Sequence, residues 1–251
     1  MNKNYMLLEA DLKALKLSSF IKHYKEASET ATHRNDDYIS YLQTLTEQEV
    51  NERQERRIER RIKNAAFPVI KTLESFDFSL ISSLNKQEVL TLTKCQWIED
   101  KKNIIALGNS GMGKTHLAIA LGVNACIKDY HVGYKSVATL AHELMEAQNE
   151  KQFLRYQKKL QQYDLLILDE LGYVPLTKVG AELLFDVFSS RYEKGSILLT
   201  TNLPFAQWTE VFGCERLTGA LLDRLTHHVI LLEMNGESYR LRQRLSEISK
   251  E

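Results

Sequence analysis

Proline is scarce in this chain, three residues in 251, which argues against long extended linkers between its parts. Cysteine is equally scarce. Cys95, Cys126 and Cys214 lie far apart and none belongs to a Cys-x-x-Cys pair. Neither a disulfide framework nor a zinc site is indicated, and free thiols in a reducing compartment are expected. Net charge is also missing, because 33 Lys and Arg balance 33 Asp and Glu. Any surface for nucleic acid must therefore be a local patch rather than a bulk property. The chain has no run of about 18 apolar residues to span a bilayer. Its start, Met1-Asn2-Lys3-Asn4-Tyr5, leads into an amphipathic segment rather than the apolar stretch of a signal peptide. These absences predict a cytoplasmic protein with no membrane association.

What is present divides into two patterns. The first third reads as helix: Leu8, Leu12 and Leu15 share a face, and Phe20, Tyr24 and Ala27 continue it beyond Ser18-Ser19. Tyr38, Tyr41, Leu42 and Leu45 open a second stripe after an N-cap candidate at Asn35 or Asp36. From Glu47 to Lys63 apolar residues nearly vanish while helix formers persist, predicting one long helix with a polar second half. Asn85, with Glu88 three positions on, resembles a capping box for a short helix through Trp97. From Asn103 onward, short apolar runs alternate with helical stretches. The predicted strands are Asn103–Leu107, Val132–Ser136, Leu165–Leu168, Ser196–Thr200 and Val229–Leu232. Helices are expected over Thr115–Ile127, Thr139–Asn149 and Ala181–Glu193. This alternation implies βαβ units and a parallel sheet covered on both faces. The two patterns meet within Phe67–Leu84, and the expected domains are 1–68 and 69–251.

The chemistry is concentrated in Gly108-Asn109-Ser110-Gly111-Met112-Gly113-Lys114-Thr115, a complete G-x-x-x-x-G-K-[ST] loop between a strand and a helix. Glycines let backbone N–H groups turn inward without Cβ clashes, forming an anion nest at a helix N-terminus. Lys114 supplies a point charge for the β- and γ-phosphates, and the Thr115 hydroxyl is a ligand for Mg²⁺. The run Leu165-Leu166-Ile167-Leu168-Asp169-Glu170 ends an apolar strand in two carboxylates at the edge where open α/β sheets bind ligands. Asp169 is assigned to Mg²⁺, through water, and Glu170 to the attacking water as general base. Taken alone, such carboxylates are commonly a solvated strand end; following a phosphate loop they favour ATP hydrolysis. Asn202, with Thr201 as second choice, is a candidate contact to the γ-phosphate or the water. A turn role before Pro204 fits its spacing equally well.

Taken in order, the 108–115 loop, Leu-Asp-Glu-Leu-Gly at 168–172, Thr-Thr-Asn at 200–202, Leu-Leu-Asp-Arg-Leu-Thr-His-His at 221–228 and Ser-Tyr-Arg at 238–240 resemble one AAA+ branch. That branch contains DnaC-like helicase loaders and the transposition helper ATPases called IstB. Arg-Arg-Ile-Glu-Arg-Arg-Ile at 56–62 and Ser-Phe-Asp-Phe at 75–78 make IstB the closer match, so the resemblance spans essentially the whole chain. It implies an AAA+ P-loop NTPase core of three layers with a parallel five-stranded sheet, preceded by a small all-helical N-terminal domain. Only 18 residues follow Glu233, so no C-terminal lid domain is expected. ATP and Mg²⁺ are the implied cofactors.

The resemblance further implies that Arg224 is an arginine finger acting in trans, and hence a homo-oligomer with head-to-tail contacts. Without it, an Arg on a late helix reads as a surface salt bridge. Arg240 or Arg242 is a candidate phosphate sensor. Non-specific double-stranded DNA and a transposase are the implied partners, with a helicase as partner in the competing loader reading. Two basic stretches offer a DNA surface: Arg53, Arg56, Arg57 and Arg60 in the long helix, and Lys151, Arg155, Lys158 and Lys159 interleaved with Phe153, Tyr156 and Tyr163. Each is open to the plainer reading of a solvated helix face. A small-molecule P-loop kinase fits less well, given adjacent Asp169 and Glu170 and no arginine-rich lid.

Overall fold

A computed structural model describes residues 3–236 and 238. The chain divides into two compact units, Met1–Arg60 and Arg61–Glu251. The division falls inside a helix rather than at 68, because the last turns of that helix, through Ile62 and Ala65, join the core of the second unit.

The first unit holds α1 (Lys3–Ala14), α2 (Ser18–Arg34) and most of α3 (Tyr38–Ala65). Leu12, Tyr24 and Leu45 are its buried apolar anchors. Polar bonds add to them: Tyr24 Oη donates to Glu9 Oε1 at 2.8 Å and the Ser19 amide to Glu49 Oε2 at 2.8 Å. Asn35 ends α2 in a left-handed conformation (φ 58°), and Asp37 caps α3 by accepting from the Ser40 amide at 2.7 Å. The expected cap at Asn35 or Asp36 is therefore displaced. Asn35 is consumed in stopping the preceding helix, as a left-handed C-terminal residue often is.

After the last turns of α3, the second unit continues with α4 (Lys86–Leu92) and α5 (Gln96–Glu99). Asn85 caps α4 through the Gln87 amide at 2.9 Å. The single helix expected through Trp97 is broken at Cys95, which is left-handed at φ 62°. There follow β1 (Asn103–Leu107), α6 (Lys114–Ile127), β2 (Val132–Ser136), α7 (Val137–Asn149), α8 (Phe153–Gln161), β3 (Leu165–Leu171), α9 (Lys178–Arg191), β4 (Ser196–Thr201), α10 (Trp208–Phe212), α11 (Glu215–Thr226) and β5 (Val229–Glu233). All pairings are parallel and the strand order is β2-β3-β4-β1-β5. Successive strand residues alternate between two cores, as period 2 requires. Ile104, Ile167 and Leu198 join α6 on one face. Ile105, Leu166, Leu168 and Leu199 join α7, α9 and α11 on the other. The three-layer parallel fold expected from the alternating runs is what forms. The expectation of no lid concerns residues after β5, most of them outside the described range.

The three thiols are free. Burial pushes Cys126 up to about 12, so it behaves as a small apolar side chain rather than a nucleophile. Among the described residues no helix is long and apolar enough to cross a membrane.

One charged group is built into the fold. Arg191 is 2% exposed, and its guanidinium donates to the carbonyls of Leu160 (2.7 Å), Tyr163 (2.9 Å) and Ser196 (3.0 Å). It thereby ties the end of α8 to the entries of β3 and β4. Burial pulls its pKa down to about 10, with Asp164 opposing, so the group stays charged at neutral pH. Gly195 is required beside it, since a Cβ there would lie 2.5 Å from Arg191 Nη2. Arg191→Met would leave several buried carbonyls without a donor, at about 1–3 kcal/mol each before relaxation. Chemical denaturation should show a loss of about 3 kcal/mol or more; an unchanged midpoint would refute the bracing role.

Candidate nucleotide site

The parallel sheet sends the C-terminal ends of β1, β3 and β4 to one edge, and the candidate residues lie along it. β1 ends at Leu107 and the phosphate loop begins at Gly108, whose amide donates to Thr201 O at 3.2 Å. The loop has no room for side chains where the chain approaches it. A Cβ on Gly108 would sit 2.1 Å from Met234 O. Gly111 and Gly113 adopt φ of 84° and 78°, a region that strongly favours glycine. Met112 is buried in the core and anchors the loop, while Asn109 and Ser110 face solvent. Lys114 opens α6, and its Nζ donates to Gly108 O at 2.6 Å and Asn109 O at 2.7 Å. The ammonium thus lies over the loop at the positive end of a helix.

The second half of the site is set by an irregularity. Leu168 pairs with Leu199 but Leu171 pairs with Thr201, so β3 carries one extra residue. This β-bulge re-aims the carboxylates. Asp169 turns inward and is 3% exposed. Glu170 takes φ 64° and its side chain faces solvent at the rim. For a non-glycine residue that conformation is costly, and such strain is found where geometry matters.

Asp169 is the hub. Its Oδ1 accepts from Thr115 Oγ1 at 3.0 Å and from Thr200 Oγ1 at 2.5 Å, and its Oδ2 accepts from Tyr134 Oη at 2.6 Å. Thr200 Oγ1 also accepts the Glu170 amide at 2.9 Å, so one hydroxyl fixes both carboxylate residues. Burial, then the bond to Asp169, pushes the Tyr134 phenol far above its usual range, so it remains a donor. Tyr134 was not singled out in the sequence, and Thr200 entered only within the Thr-Thr-Asn motif, with no role of its own. A Tyr in a strand and a Thr in an apolar run carry no local signal, and only the sheet order brings them to Asp169.

The other candidates are placed as follows. Asn202 is exposed just past the end of β4. Thr201 is buried and occupied locally, donating to Leu171 O at 2.9 Å and accepting the Leu203 amide at 3.0 Å. It serves the turn and is not available as a phosphate contact. Arg224 lies at the far end of the sheet, lining a hollow with Asn103, Gly195 and Ile197 at the strand starts. It donates to Ala220 O at 2.8 Å and its guanidinium stacks over Phe185 at 5.0 Å. A strand of this length separates the two edges by about 16 Å, so Arg224 does not reach the phosphate loop of its own chain. Arg240 and Arg242 lie outside the described residues.

The two basic stretches fare differently. Arg53 bonds Glu49 and the Lys16 carbonyl, and Arg56 bonds Ser18 Oγ and the Glu52 carbonyl. Both therefore link helices within the first unit, contacts that neither the nucleic-acid reading nor the solvated-face reading anticipated, and like Arg57 and Arg60 they are exposed. On α8 and just before it, Lys151, Arg155, Lys158 and Lys159 are all exposed. The aromatics interleaved with them do not stack outward: Phe153, Tyr156 and Tyr163 pack against the core.

The fit to a magnesium nucleotide is good on the chain's own geometry. The glycine-lined loop and helix N-terminus present donors to an anion, and two oxygens 3.0 Å apart, Thr115 Oγ1 and Asp169 Oδ1, suit a hard cation. Fold and loop together define a P-loop nucleotide-binding protein of the AAA+ type. The chain belongs to the family described as IstB-like ATP binding protein, whose model matches residues 10–247. It is 40% identical to the insertion sequence IS21 ATP-binding protein of Pseudomonas aeruginosa, over 94% of this chain and 89% of that one. It is 35% identical to the IS232 counterpart of Bacillus thuringiensis, over 98% of both. Among solved structures, AMPPCP-bound DnaA from Aquifex aeolicus shares the fold, with a TM-score of 0.58 at 22% identity over 74% of this chain and 57% of that chain.

The contact between Gly108 and Met234 yields a test. Gly108→Ala forces the loop and the chain leaving β5 apart, an overpacking defect of about 1–3 kcal/mol. A lower melting temperature together with weaker binding of a fluorescent ATP analogue is expected; a variant matching wild type in both would contradict the close approach.

Proposed function

We propose that this protein is an ATP-hydrolysing switch of an insertion element, which assembles on duplex DNA and recruits or regulates the transposase. The observation carrying the hydrolytic part is the bulge in β3. It aims Asp169 at Thr115 and leaves Glu170 at the open rim, where a carboxylate can take a proton from a water attacking the γ-phosphate. Lys114 and the amides of 108–115 bind and orient the polyphosphate. Mg²⁺, held by Thr115 and through water by Asp169, would offset the charge on the β- and γ-oxygens. Asn202, exposed beside this edge, is positioned as an additional polar contact.

Arg224 cannot serve its own site, which supports a role at the γ-phosphate of a neighbouring subunit and so a head-to-tail homo-oligomer. Four exposed cations at 151–159 support phosphate contacts to duplex DNA, independent of sequence. The names of the relatives, all tied to insertion sequences, favour a transposase as partner over the helicase of the loader reading.

Lys114→Ala should abolish ATP binding, whereas Glu170→Gln should bind ATP and lose turnover by at least about 100-fold. Wild-type hydrolysis by Glu170→Gln would remove Glu170 as the base. Mixing Arg224→Ala with Glu170→Gln subunits should partly restore turnover, because one kind of interface then has both groups intact. Absence of rescue at every ratio counts against the finger in trans.

For the DNA contact, duplex affinity with ATP present should fall linearly on a log–log plot against salt. Replacing Arg155, Lys158 and Lys159 together by Ala should reduce that slope by about one per lost phosphate contact. An unchanged slope would exclude α8 from the interface. Co-purification with the transposase rather than a replicative helicase checks the partner.

A further inference from the structure

The geometry points to Tyr134 as a positioning residue for the metal–nucleotide site: its hydroxyl holds the Asp169 carboxylate in the orientation that receives Mg²⁺. This rests on the reading of Thr115 and Asp169 as the magnesium-binding pair and extends it to a residue whose strand is separated from that of the phosphate loop by two others.

Asp169 is gripped by three hydroxyls from three elements, Thr115 on α6, Thr200 on β4 and Tyr134 on β2. They are not equivalent. Thr115 Oγ1 is itself a magnesium ligand in the reading above, so its bond to Asp169 is the one exchanged when the cation arrives. Thr200 and Tyr134 stay. Both Thr115 and Thr200 address Oδ1, so Tyr134 is the hydroxyl that holds Oδ2. With Oδ1 fixed on one side and Oδ2 on the other, rotation about the carboxylate's terminal bond, otherwise broad, is stopped.

The tyrosine ring is itself held. Register pairs Tyr134 with Ile167 on β3, and the ring packs against Phe67 with centroids 6.1 Å apart at 60°. Phe67 in turn lies over Gly122 of α6, where a Cβ would come within 2.9 Å of its ring. The phenol oxygen is thus placed by a chain of packed rings rather than by a mobile side chain. Groups that orient metal-binding residues in this way typically alter metal affinity 10- to 100-fold when removed.

The test uses the full-length protein and a fluorescent ATP analogue, with affinity measured as a function of Mg²⁺ concentration and again in EDTA. Tyr134→Phe removes one oxygen and keeps the ring against Phe67. The Mg²⁺ concentration giving half-maximal tight binding should rise by about 10-fold or more, with affinity in EDTA and the melting temperature near wild type. In an Asp169→Asn background the same change should have little further effect, since the tyrosine acts through that carboxylate.

A folded Tyr134→Phe with wild-type Mg²⁺ dependence overturns the inference. So does an equal loss of affinity with and without Mg²⁺, or loss of cooperative melting, either of which assigns the hydroxyl to general structure. If wild-type protein binds the analogue without any response to Mg²⁺, the assignment of Thr115 and Asp169 fails first, and is recognised separately.

Discussion

Everything at the candidate site depends on a constraint of the sheet: five strands run in one direction, so all their carboxyl ends meet at one edge. Hydroxyls from α6, β2 and β4 are far apart in sequence, yet they converge within hydrogen-bonding distance of Asp169 near the end of β3, beside the loop that follows β1. The right-handed crossovers that parallel strands demand put helices on both faces. Those helices seal the strands from water and make the interior side of the site dry. Under those conditions charge–charge and hydrogen-bond interactions are stronger than at the surface, which is what phosphate chemistry requires.

The two carboxylates illustrate how little covalent difference separates two opposite environments. Asp169 and Glu170 are neighbours, and a regular strand would send them to opposite faces, both within packed layers. The extra residue between Leu168 and Leu171 instead leaves one enclosed by hydroxyls and the other in water. Thr200 links them, donating to the Asp169 carboxylate and receiving the Glu170 amide. Any shift of one is therefore felt by the other. This coupling is carried by one side chain and needs no long pathway.

The phosphate loop was legible in the sequence because its requirement is written into residue type: the backbone of Gly111 and Gly113 strongly favours glycine. The strands were legible because burial on both faces makes them continuous apolar runs, and β1 and β2 fall on their expected limits. The carboxylates of β3 were picked out by position, but the bulge that separates their surroundings was not, since an added residue leaves no compositional trace. Tyr134 and Thr200 were hidden for a different reason: each is ordinary for a strand, and its meaning comes from a partner in another element. The same limit explains Arg53 and Arg56. A row of arginines on a polar helix suits a nucleic-acid surface and a solvated face equally, and the inter-helix contacts to Ser18 and the Lys16 carbonyl leave no trace in spacing.

Arg224 is stationed a strand's length from the loop of its own chain, and if it serves a neighbour as proposed, each protomer would hold one half of two different sites. In a closed circle of such protomers the halves all find counterparts. In an open row one loop at one end always lacks its arginine, and one arginine at the other end faces nothing. The two ends would then differ in chemistry as well as in shape. One would keep its triphosphate intact while interior ones are consumed, and a filament so built would have a direction along which it ages.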